Sequence, residues 1–376
     1  MNVGKINKKN RKKKILLAPL DWGLGHATRC IPVIKLLMGL GADVIIAAEG
    51  SIASLFQKEF PGIVILRLKG YKISYSSSKS FFFLKMFMQV PRILSVMKYE
   101  NEWLNRVITE HEIDAVISDN RFGFYTKKVP SVFITHQLYI KTGSNILDKQ
   151  AQKINYRYIN RFTECWVPDA EGNNNLAGKL SHPEKLPAIP VKWLGVLSRC
   201  QITEVQKITD LLIMISGPEP QRGIFEQNLL PQLKNINGSI VFLRGLPATN
   251  DALISENKNV TIYNHLPSKA LNEIIQQSKL VVARCGYSTV MDLASLKQKA
   301  ILIPTPGQTE QEYLSDYLKE KKLFFTVKQE DFSLEKEMEN VKAFEFASFD
   351  NIPLLNENII IEWFQNLTTG GEFVNE

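Results

Sequence analysis

Residues 281–312 have the sequence VVARCGYSTVMDLASLKQKAILIPTPGQTEQE, and this stretch decides the fold class. A short apolar run ends at Gly286, a helix-compatible segment follows, and a second apolar run ends at Pro304 and Pro306. Short buried strands that alternate with helices are typical of parallel sheets, because each crossover must return the chain over a face of the sheet. The stretch therefore predicts a strand–helix–strand unit with polar residues at both strand exits.

The same alternation of apolar runs and helix-compatible segments fills the chain on both sides of residues 196–208. The sequence predicts six strands before this stretch and five after it. A chain of 376 residues is too long for one ordinary core. We therefore predict an α/β protein with two Rossmann-like, doubly wound parallel-sheet domains that face each other across a cleft. The predicted divisions are a flexible basic tail at 1–14, an N-terminal domain at 15–197, a linker at 198–208, a C-terminal domain at 209–345 and a C-terminal helical tail at 346–376.

The composition, with 44% hydrophobic and 22% charged residues, is that of a soluble globular protein. Much of the net charge of +8 lies in the first fourteen residues, MNVGKINKKNRKKK. Such a tail is usually a solvated arm, and an anionic membrane surface or nucleic acid is the less favoured interpretation. Nucleic acid is therefore not expected as a partner.

Patterns of export and of metal binding are absent from the sequence. The run ILLAPL before Asp21 is too short for a signal peptide and predicts a first strand. No stretch reaches the roughly 18 uncharged apolar residues that a membrane span needs. Widely spaced cysteines without a CxxC pair favour reduced thiols in the cytosol over a zinc site. We expect a cytoplasmic protein, at most peripheral at a membrane, with no metal ion. The cysteines are Cys30, Cys165, Cys200 and Cys285.

Ligands of open α/β sheets bind beyond the carboxyl ends of the strands, so the strand-exit loops are the candidate sites. The first is LDWGLGHATR at residues 20–29, where Gly23 and Gly25 let the backbone turn tightly and approach a ligand. His26 is suited to act as a general base at neutral pH. The alternative is a tight turn in which His26 only caps the following helix.

Two further strand exits in the N-terminal half carry polar pairs. Asp119 and Asn120 follow one apolar run, and His136 and Gln137 follow the next. A single pair of this kind is commonly an ordinary turn or cap. Polar residues at the ends of three strands, along one edge of a sheet, instead favour a cleft. We expect the side chains of these residues on the acceptor side of that cleft.

The C-terminal half combines residues that suit phosphate with residues that suit hydroxyl groups. Small residues before a helix can hold a phosphate with free N–H groups. Asp292 either caps its helix or accepts hydrogen bonds from two vicinal hydroxyls. Together these exits predict a site for a nucleoside diphosphate. The candidate donor-binding residues are Ser216, Gly217, Arg284, Gly286, Ser288, Thr289, Asp292, Gln308, Gln311 and Glu312.

Two of these stretches resemble a known family. GLGH at residues 23–26 and ARCGYSTVMDLASLKQKAILIPTPGQTEQEYLSDYL at residues 283–318 are similar to the motifs of GT-B glycosyltransferases. The closest branch contains the UDP-N-acetylglucosamine transferase of lipid II synthesis, diacylglycerol glucosyltransferases and related family 28 proteins. The resemblance implies a GT-B fold and a nucleotide-sugar as co-substrate, with no further cofactor.

The resemblance also implies residue roles. Gly286, Ser288 and Thr289 would hold the diphosphate together with Ser216 and Gly217. Asp292 stands in for a ribose-binding glutamate, and Gln311 occupies the place of a sugar-binding glutamine. The base would lie against the backbone at Asn264, His265 and Leu266. His26 would face the acceptor as the base.

The chain departs from the family pattern at three places. Asp292 is one methylene shorter than glutamate, Glu312 replaces a second glutamine, and ISGPEP lacks the fuller GGSxG loop. UDP is the expected nucleotide because this branch mostly uses UDP-sugars. The sugar itself stays open.

Residues 71–100 bear on the acceptor. They place four phenylalanines among Lys79, Lys85, Arg92 and Lys98. Such a mixture suits a surface that dips into an anionic bilayer to reach a lipid-linked acceptor. It equally suits a core helix whose lysines extend outward, and both interpretations stay open.

The sequence thus predicts an inverting, metal-independent glycosyltransferase that attacks a UDP-sugar with an acceptor hydroxyl deprotonated by His26. Arg284 is expected to help stabilise the departing diphosphate. Two alternatives remain: a nucleotide-sugar 2-epimerase on the same fold, and a catalytically silent nucleotide-binding protein.

Overall fold

Two parallel β-sheets form the framework of the protein in a computed structural model. It describes residues 11–71, 79–234, 236–246, 249, 251 and 253–369, without the side chains of residues 79–88 and 145. The first sheet has seven strands in the order β3-β2-β1-β4-β5-β6-β7. These strands are β1 Lys14–Pro19, β2 Asp43–Ala47, β3 Val64–Leu66, β4 Ala115–Asp119, β5 Ser131–Ile134, β6 Glu164–Val167 and β7 Val191–Trp193.

The second sheet repeats this arrangement with six strands in the order β10-β9-β8-β11-β12-β13. Its strands are β8 Thr209–Met214, β9 Ile240–Leu243, β10 Val260–Tyr263, β11 Ser278–Arg284, β12 Ala300–Ile303 and β13 Phe325–Thr326. In each sheet the strand order reverses beside the first strand, between β1 and β4 and between β8 and β11. Ligands bind at such reversal points because the crossover helices diverge there and leave a crevice.

Helices cover both faces of the sheets, which is why most strand residues are apolar and buried. The helices are α1 Leu24–Gly39, α2 Gly50–Glu59, α3 Lys79–His111, α4 Asn145–Ile159, α5 Gln221–Leu229, α6 Ser268–Gln277, α7 Tyr287–Ser295, α8 Thr309–Glu320, α9 Leu334–Asn340 and α10 Glu357–Thr369. Short 3₁₀ turns lie at Gly178–Leu180, Leu230–Leu233, Gln329–Asp331 and Val341–Ala343.

The two domains are joined by one continuous apolar cluster. It includes buried residues of α1 in the first domain and of α7 in the second. Helix α10 follows the second domain along the chain but packs against α1 of the first. Its Trp363 meets Trp166 of β6 edge-on, with ring centroids 5.3 Å apart. The helix predicted at the end of the chain therefore has its partner in the N-terminal domain.

The predicted fold class is confirmed: two parallel α/β domains lie against each other. All the predicted strands are present, and the sequence did not identify β7 or β13. These edge strands have three and two residues, too few to show a period. Helix α1 begins at Leu24, earlier than predicted, so His26 lies inside its first turn.

Part of the predicted basic tail, residues 1–10, lies outside the described residues. Arg11 forms an ion pair with Asp114, at 2.8 Å, and Lys14 already belongs to β1. Among the described residues, no helix is long and apolar enough to cross a membrane.

Candidate active site

The strand-exit loops of the two sheets touch each other. The Ser288 hydroxyl, at the start of α7, donates a hydrogen bond to the Gly25 carbonyl at 2.9 Å. His136, beyond β5, stacks on Tyr287 of α7 with ring centroids 4.1 Å apart. Thr309 of α8 donates to the Lys141 carbonyl at 2.7 Å. The cleft predicted between the domains is therefore closed on these contacts.

A histidine–aspartate pair lies at the reversal point of the first sheet. Asp119 is the last residue of β4, and His26 is in the first turn of α1, which follows the neighbouring strand β1. The His26 Nδ1 atom lies 2.7 Å from an oxygen of Asp119. Gly23, at φ 103°, precedes the helix and lets the chain turn directly from strand to helix. The sequence selected both residues but did not predict that they pair.

The pair is held in a buried, charged environment. The Asp119 carboxylate has no solvent exposure, whereas the His26 side chain is 18% exposed. Although burial alone would raise it, Arg29 and His26 hold the pKa of Asp119 well below its usual range. Burial lowers the pKa of His26 below its ordinary value of 6.5, and Arg29 adds to this against the opposing effect of Asp119. His26 is thus neutral near pH 7, as a base must be.

Arg29 is the residue that neutralises Asp119. Its Nε and Nη2 atoms donate to the two carboxylate oxygens, and Nη2 also lies 3.0 Å from His26 Nδ1. Its Nη1 atom lies 3.1 Å from Nδ1 of His136. The sequence analysis did not select Arg29, although its spacing from His26 in GHATR is the i,i+3 spacing of neighbours on a helix face.

Glu310 belongs to the polar cluster that the sequence shows after β12, but it was assigned no individual role in the site. It lies in the first turn of α8 and accepts from His136 Nε2 at 2.8 Å. The side-chain amide of Gln137 donates to its other oxygen. His136 and Gln137 therefore face the C-terminal domain, whereas Asn120 adopts a left-handed turn, at φ 56°, as the simpler interpretation expected.

The start of α7 presents the predicted phosphate-binding surface. Gly286 precedes the helix and has no side chain that would cover the free N–H groups of its first turn. Ser288 and Thr289 lie in that turn and are partly exposed. Ser216 and Gly217 are exposed beyond β8, the neighbouring strand. These residues lie at the reversal point of the second sheet, as an anion site requires.

Asp292 does not cap α7, because it is the sixth residue of the helix. Its carboxylate accepts a hydrogen bond from the Ser198 hydroxyl at 2.7 Å, and Arg199 Nε lies 3.7 Å from the other oxygen. Burial raises the pKa of Asp292, although Arg199 opposes this. The carboxylate thus faces the linker between the domains, and a nucleoside hydroxyl would have to share or replace the Ser198 contact.

The polar loop after β12 is largely bonded to itself. Gln311 accepts from the Thr305 backbone N–H at 2.9 Å and donates to Gln308 at 2.6 Å. Glu312 accepts from the Gly307 backbone N–H at 3.1 Å. Gln308, Gln311 and Glu312 therefore fix the shape of this segment, whereas Glu310, in the first turn of α8, reaches across the cleft as Thr309 does.

The segment after β10, proposed to hold the base, is half-buried. The Asn264 side chain donates to the carbonyls of Thr249 and Asp251, at 3.0 and 2.9 Å, and so closes its own loop. Burial lowers the pKa of His265, and Leu266 packs against the core. The backbone at these residues remains the candidate contact for a base.

Comparison with known proteins relates this chain to glycosyltransferases. Residues 232–349 match the family model of the glycosyltransferase family 28 C-terminal domain. An uncharacterized glycosyltransferase of Methanosarcina acetivorans is 22% identical over 327 residues, which cover 80% of this chain and 81% of that protein. The chain is a GT-B glycosyltransferase.

Solved structures agree with this glycosyltransferase in fold. SnogD, a glycosyltransferase of Streptomyces nogalater, superposes with a TM-score of 0.59 at 13% identity, covering 95% of this chain and 100% of that one. MurG of Acinetobacter baumannii superposes with a TM-score of 0.51 at 14% identity, covering 96% and 95%. Identities this low show the shared architecture alone.

Arg284 of the glycosyltransferase does not reach the cleft surface. Its side chain is about 1% exposed and lies over the Phe225 ring, 4.0 Å from the centroid. Its guanidinium donates to the carbonyls of Gln221 and Pro304, at 3.2 and 3.4 Å. The direct diphosphate contact predicted for Arg284 is therefore not present, because the side chain is directed beneath the β8 and β12 loops. Within the described residues, no group of three or more His, Cys, Asp or Glu side chains is arranged to hold a metal ion.

Proposed function

We propose that this glycosyltransferase moves a sugar from a UDP-sugar to an acceptor hydroxyl with inversion at the anomeric carbon. The observation that carries the proposal is the His26–Asp119 pair, which lies across the cleft from the N-terminus of α7. A base and an anion-binding helix on opposite walls are the two groups that a single displacement at a sugar phosphate needs.

The proposed reaction moves one proton and breaks one bond. The acceptor hydroxyl gives its proton to His26 Nε2, while Nδ1–H donates to Asp119 and holds the ring in place. The acceptor oxygen then bonds to the anomeric carbon as the bond from that carbon to the diphosphate oxygen breaks. The electron pair leaves on the nucleoside diphosphate, whose charge the N–H groups at the start of α7 stabilise. An attack from the face opposite the leaving group inverts the carbon.

The acceptor is proposed to be attached to a lipid. The short turn before α1 contains Trp22, which packs with Tyr71 and with Ile93 and Val96 of α3. The Trp22 indole N–H is buried without a partner among the described residues and is thus available to a ligand. An apolar wall beside the base suits an acceptor with an apolar chain.

The neighbouring surface of α3 supports the same proposal. Val90 and Leu94 are exposed, and the cations Arg92 and Lys98 are exposed beside them. Such a surface favours binding at the face of an anionic bilayer. The phenylalanines at positions 81, 82, 83 and 87, which first suggested this surface, lie outside the described side chains.

The decisive test measures nucleotide release from a panel of UDP- and GDP-sugars, with and without candidate acceptor lipids. We expect UDP release that depends on both a UDP-sugar and an acceptor, with product of inverted configuration. His26→Ala should lower kcat by about 100-fold or more while donor binding is kept, because a positioned base contributes roughly 10²–10⁴. Addition of a chelator should leave the rate unchanged.

The same assay separates the competing activity. Conversion of the donor without any acceptor would identify an epimerase, and binding without turnover at any acceptor would identify a silent nucleotide-binding protein. If His26→Ala turned over at the wild-type rate, the assignment of His26 as the base would be wrong.

The membrane part is tested with vesicles. Binding to vesicles that contain anionic lipid should exceed binding to neutral vesicles and should weaken in Val90→Gln/Leu94→Gln. Ile202→Gln is the control, because Ile202 is an exposed apolar residue that belongs to the linker and not to α3. Equal binding to both kinds of vesicle would contradict the peripheral location.

A further inference from the structure

His136 connects the donor domain to the residues around the proposed base. Its Nδ1 atom faces Arg29 Nη1 at 3.1 Å, and its Nε2 atom faces Glu310 at 2.8 Å. A guanidinium can only donate, so Nδ1 must accept from Arg29. The ring therefore carries its proton on Nε2 and donates it to Glu310. Each ring nitrogen therefore has one hydrogen-bond partner, Arg29 in the N-terminal domain and Glu310 in the C-terminal domain.

The donor domain also fixes the plane of this ring. Tyr287 of α7 stacks on His136 at an angle of 11°. The Tyr287 hydroxyl in turn donates to the Pro168 carbonyl of the N-terminal domain at 2.8 Å. The C-terminal domain thus makes two contacts to His136: Tyr287 stacks on its ring, and Glu310 accepts a hydrogen bond from Nε2. Both contacts exist only while the cleft is closed.

Arg29 passes this constraint to the base. It binds both oxygens of Asp119 and approaches His26 Nδ1, so its position sets the orientation of the carboxylate that orients His26. Arg29 and Asp119 are almost fully buried, and a displaced charge there would lack solvent to replace the lost contacts. A shift of His136 therefore changes the position of His26 through the side chains of Arg29 and Asp119.

We propose that Arg29 and His136 are positioning residues that link cleft closure, through Glu310 and Tyr287, to the His26–Asp119 pair. The proposal rests on the proposed role of His26. It means that the base is aligned when the donor domain is in contact and is released when the cleft opens. Proton abstraction is thereby confined to the closed enzyme.

The test uses two substitutions of His136. His136→Asn keeps an acceptor oxygen near the Nδ1 position but is too short to reach Glu310, whereas His136→Gln keeps the reach to Glu310 and loses the partner of Arg29. Each should lower kcat about tenfold and change the donor KM less than about threefold, a part of the roughly 10²–10⁴ that a base supplies. His182→Gln is the control, because His182 also stacks on an aromatic ring, Trp193, outside the site.

A second measurement does not need turnover. The protein has five histidines, so labelled imidazole signals can be followed by NMR, with His26→Gln identifying the His26 signal. The titratable and charged groups that face His26 are Asp119, Arg29, His136 and Glu310. Because Arg29 disfavours the charged imidazole, its displacement in His136→Gln should raise the pKa of His26, whereas His136→Asn keeps the acceptor for Arg29. His182→Gln should leave the pKa of His26 unchanged.

A double-mutant cycle tests the link across the cleft. His136→Asn and Glu310→Ala should be non-additive in kcat, because either one breaks the same link. Additive losses, or a wild-type His26 titration in folded His136→Gln, would overturn the proposal. If the wild type and His26→Ala turn over equally, the proposed function fails, and the titration still decides whether the link exists.

Discussion

Three side chains at the end of β4 and the start of α1 form a charge-balanced unit. Asp119 carries a negative charge, Arg29 carries a positive charge, and His26 is neutral. Unpaired, either buried charge would cost several kcal/mol. As a pair, Asp119 and Arg29 give the imidazole a fixed hydrogen-bond acceptor. Because their charges balance, they do little to favour uptake of a proton by the imidazole. The unit is suited to a base that must remain neutral until the acceptor arrives.

The pH profile should reflect this unit. The proposed base His26 would act in its neutral form, and its folded-state pKa lies below 6.5, so kcat/KM should stay constant as the pH falls to 6.5 and then decline below it. The measurement is kcat/KM for the acceptor between pH 4.5 and 8 at saturating donor. A decline with its midpoint at or above 6.5 would contradict a desolvated His26.

The sequence was sufficient to select His26, Asp119 and His136, because each follows an apolar run and parallel strands bring their exits together. It was not sufficient to pair them. Pairing depends on α1 starting at Leu24, which turns His26 and Arg29 to the same face. Likewise, the start of α8 decides that Glu310 crosses the cleft while Gln311 turns back on its own loop.

Two helix N-termini meet where the domains touch. Helix α1 brings Gly25, and helix α7 brings Ser288, so close that a Cβ atom on Gly25 would lie 2.8 Å from the Ser288 hydroxyl. This contact explains why a glycine is needed at a position whose own backbone angle is unexceptional. It also makes the fit between the helices sensitive to one methyl group.

Gly25→Ala should therefore hold the cleft slightly open. We expect kcat to fall about tenfold, since misplacement of reacting groups by about 1 Å is costly. Steady-state kinetics and small-angle scattering would measure the loss and the opening.

The control for this substitution lies in the same helix. Gly39 has no atom within 4 Å of its Cβ position, so Gly39→Ala should leave kcat unchanged. Adding Ser288→Ala to Gly25→Ala should restore closure. Continued opening in that double variant would show that the Ser288 contact is not the cause.

At the level of elements, the sequence predicted those strands whose apolar runs are buried on both sides. The edge strands β7 and β13 were not predicted, because their pairing is imposed by neighbours and not by their own residues. The side of the molecule on which α10 packs was likewise not predictable. An amphipathic helix shows that it has a buried face but not which surface covers it.

At the scale of the molecule, the apolar core runs from one domain into the other. The cluster that contains Ile15 and Leu17 of β1 continues through α1 and α7 to α10. Domain movement must therefore slide or rotate this packed interface, since no solvent layer separates the halves at this point.

Trp363→Ala should destabilise the whole chain. Trp363 is fully buried against Trp166, so its loss should lower the free energy of unfolding by about 3–5 kcal/mol. Urea denaturation followed by far-UV circular dichroism measures it. Ile254→Ala is the control, because Ile254 is 87% exposed and should change the free energy of unfolding by less than about 0.5 kcal/mol. Equal effects of the two substitutions would show that α10 does not contribute to the core.

The return of α10 to α1 sets an order of events during synthesis. Every strand of the first sheet is synthesised long before Glu357 is added. The face of α1 that α10 covers therefore stays uncovered until then. At about 5–20 residues per second, the roughly 160 intervening residues take on the order of 10–30 s. During that interval the first half of the nascent chain exposes an apolar stripe, which makes it a substrate for chaperones and proteases until α10 has been synthesised.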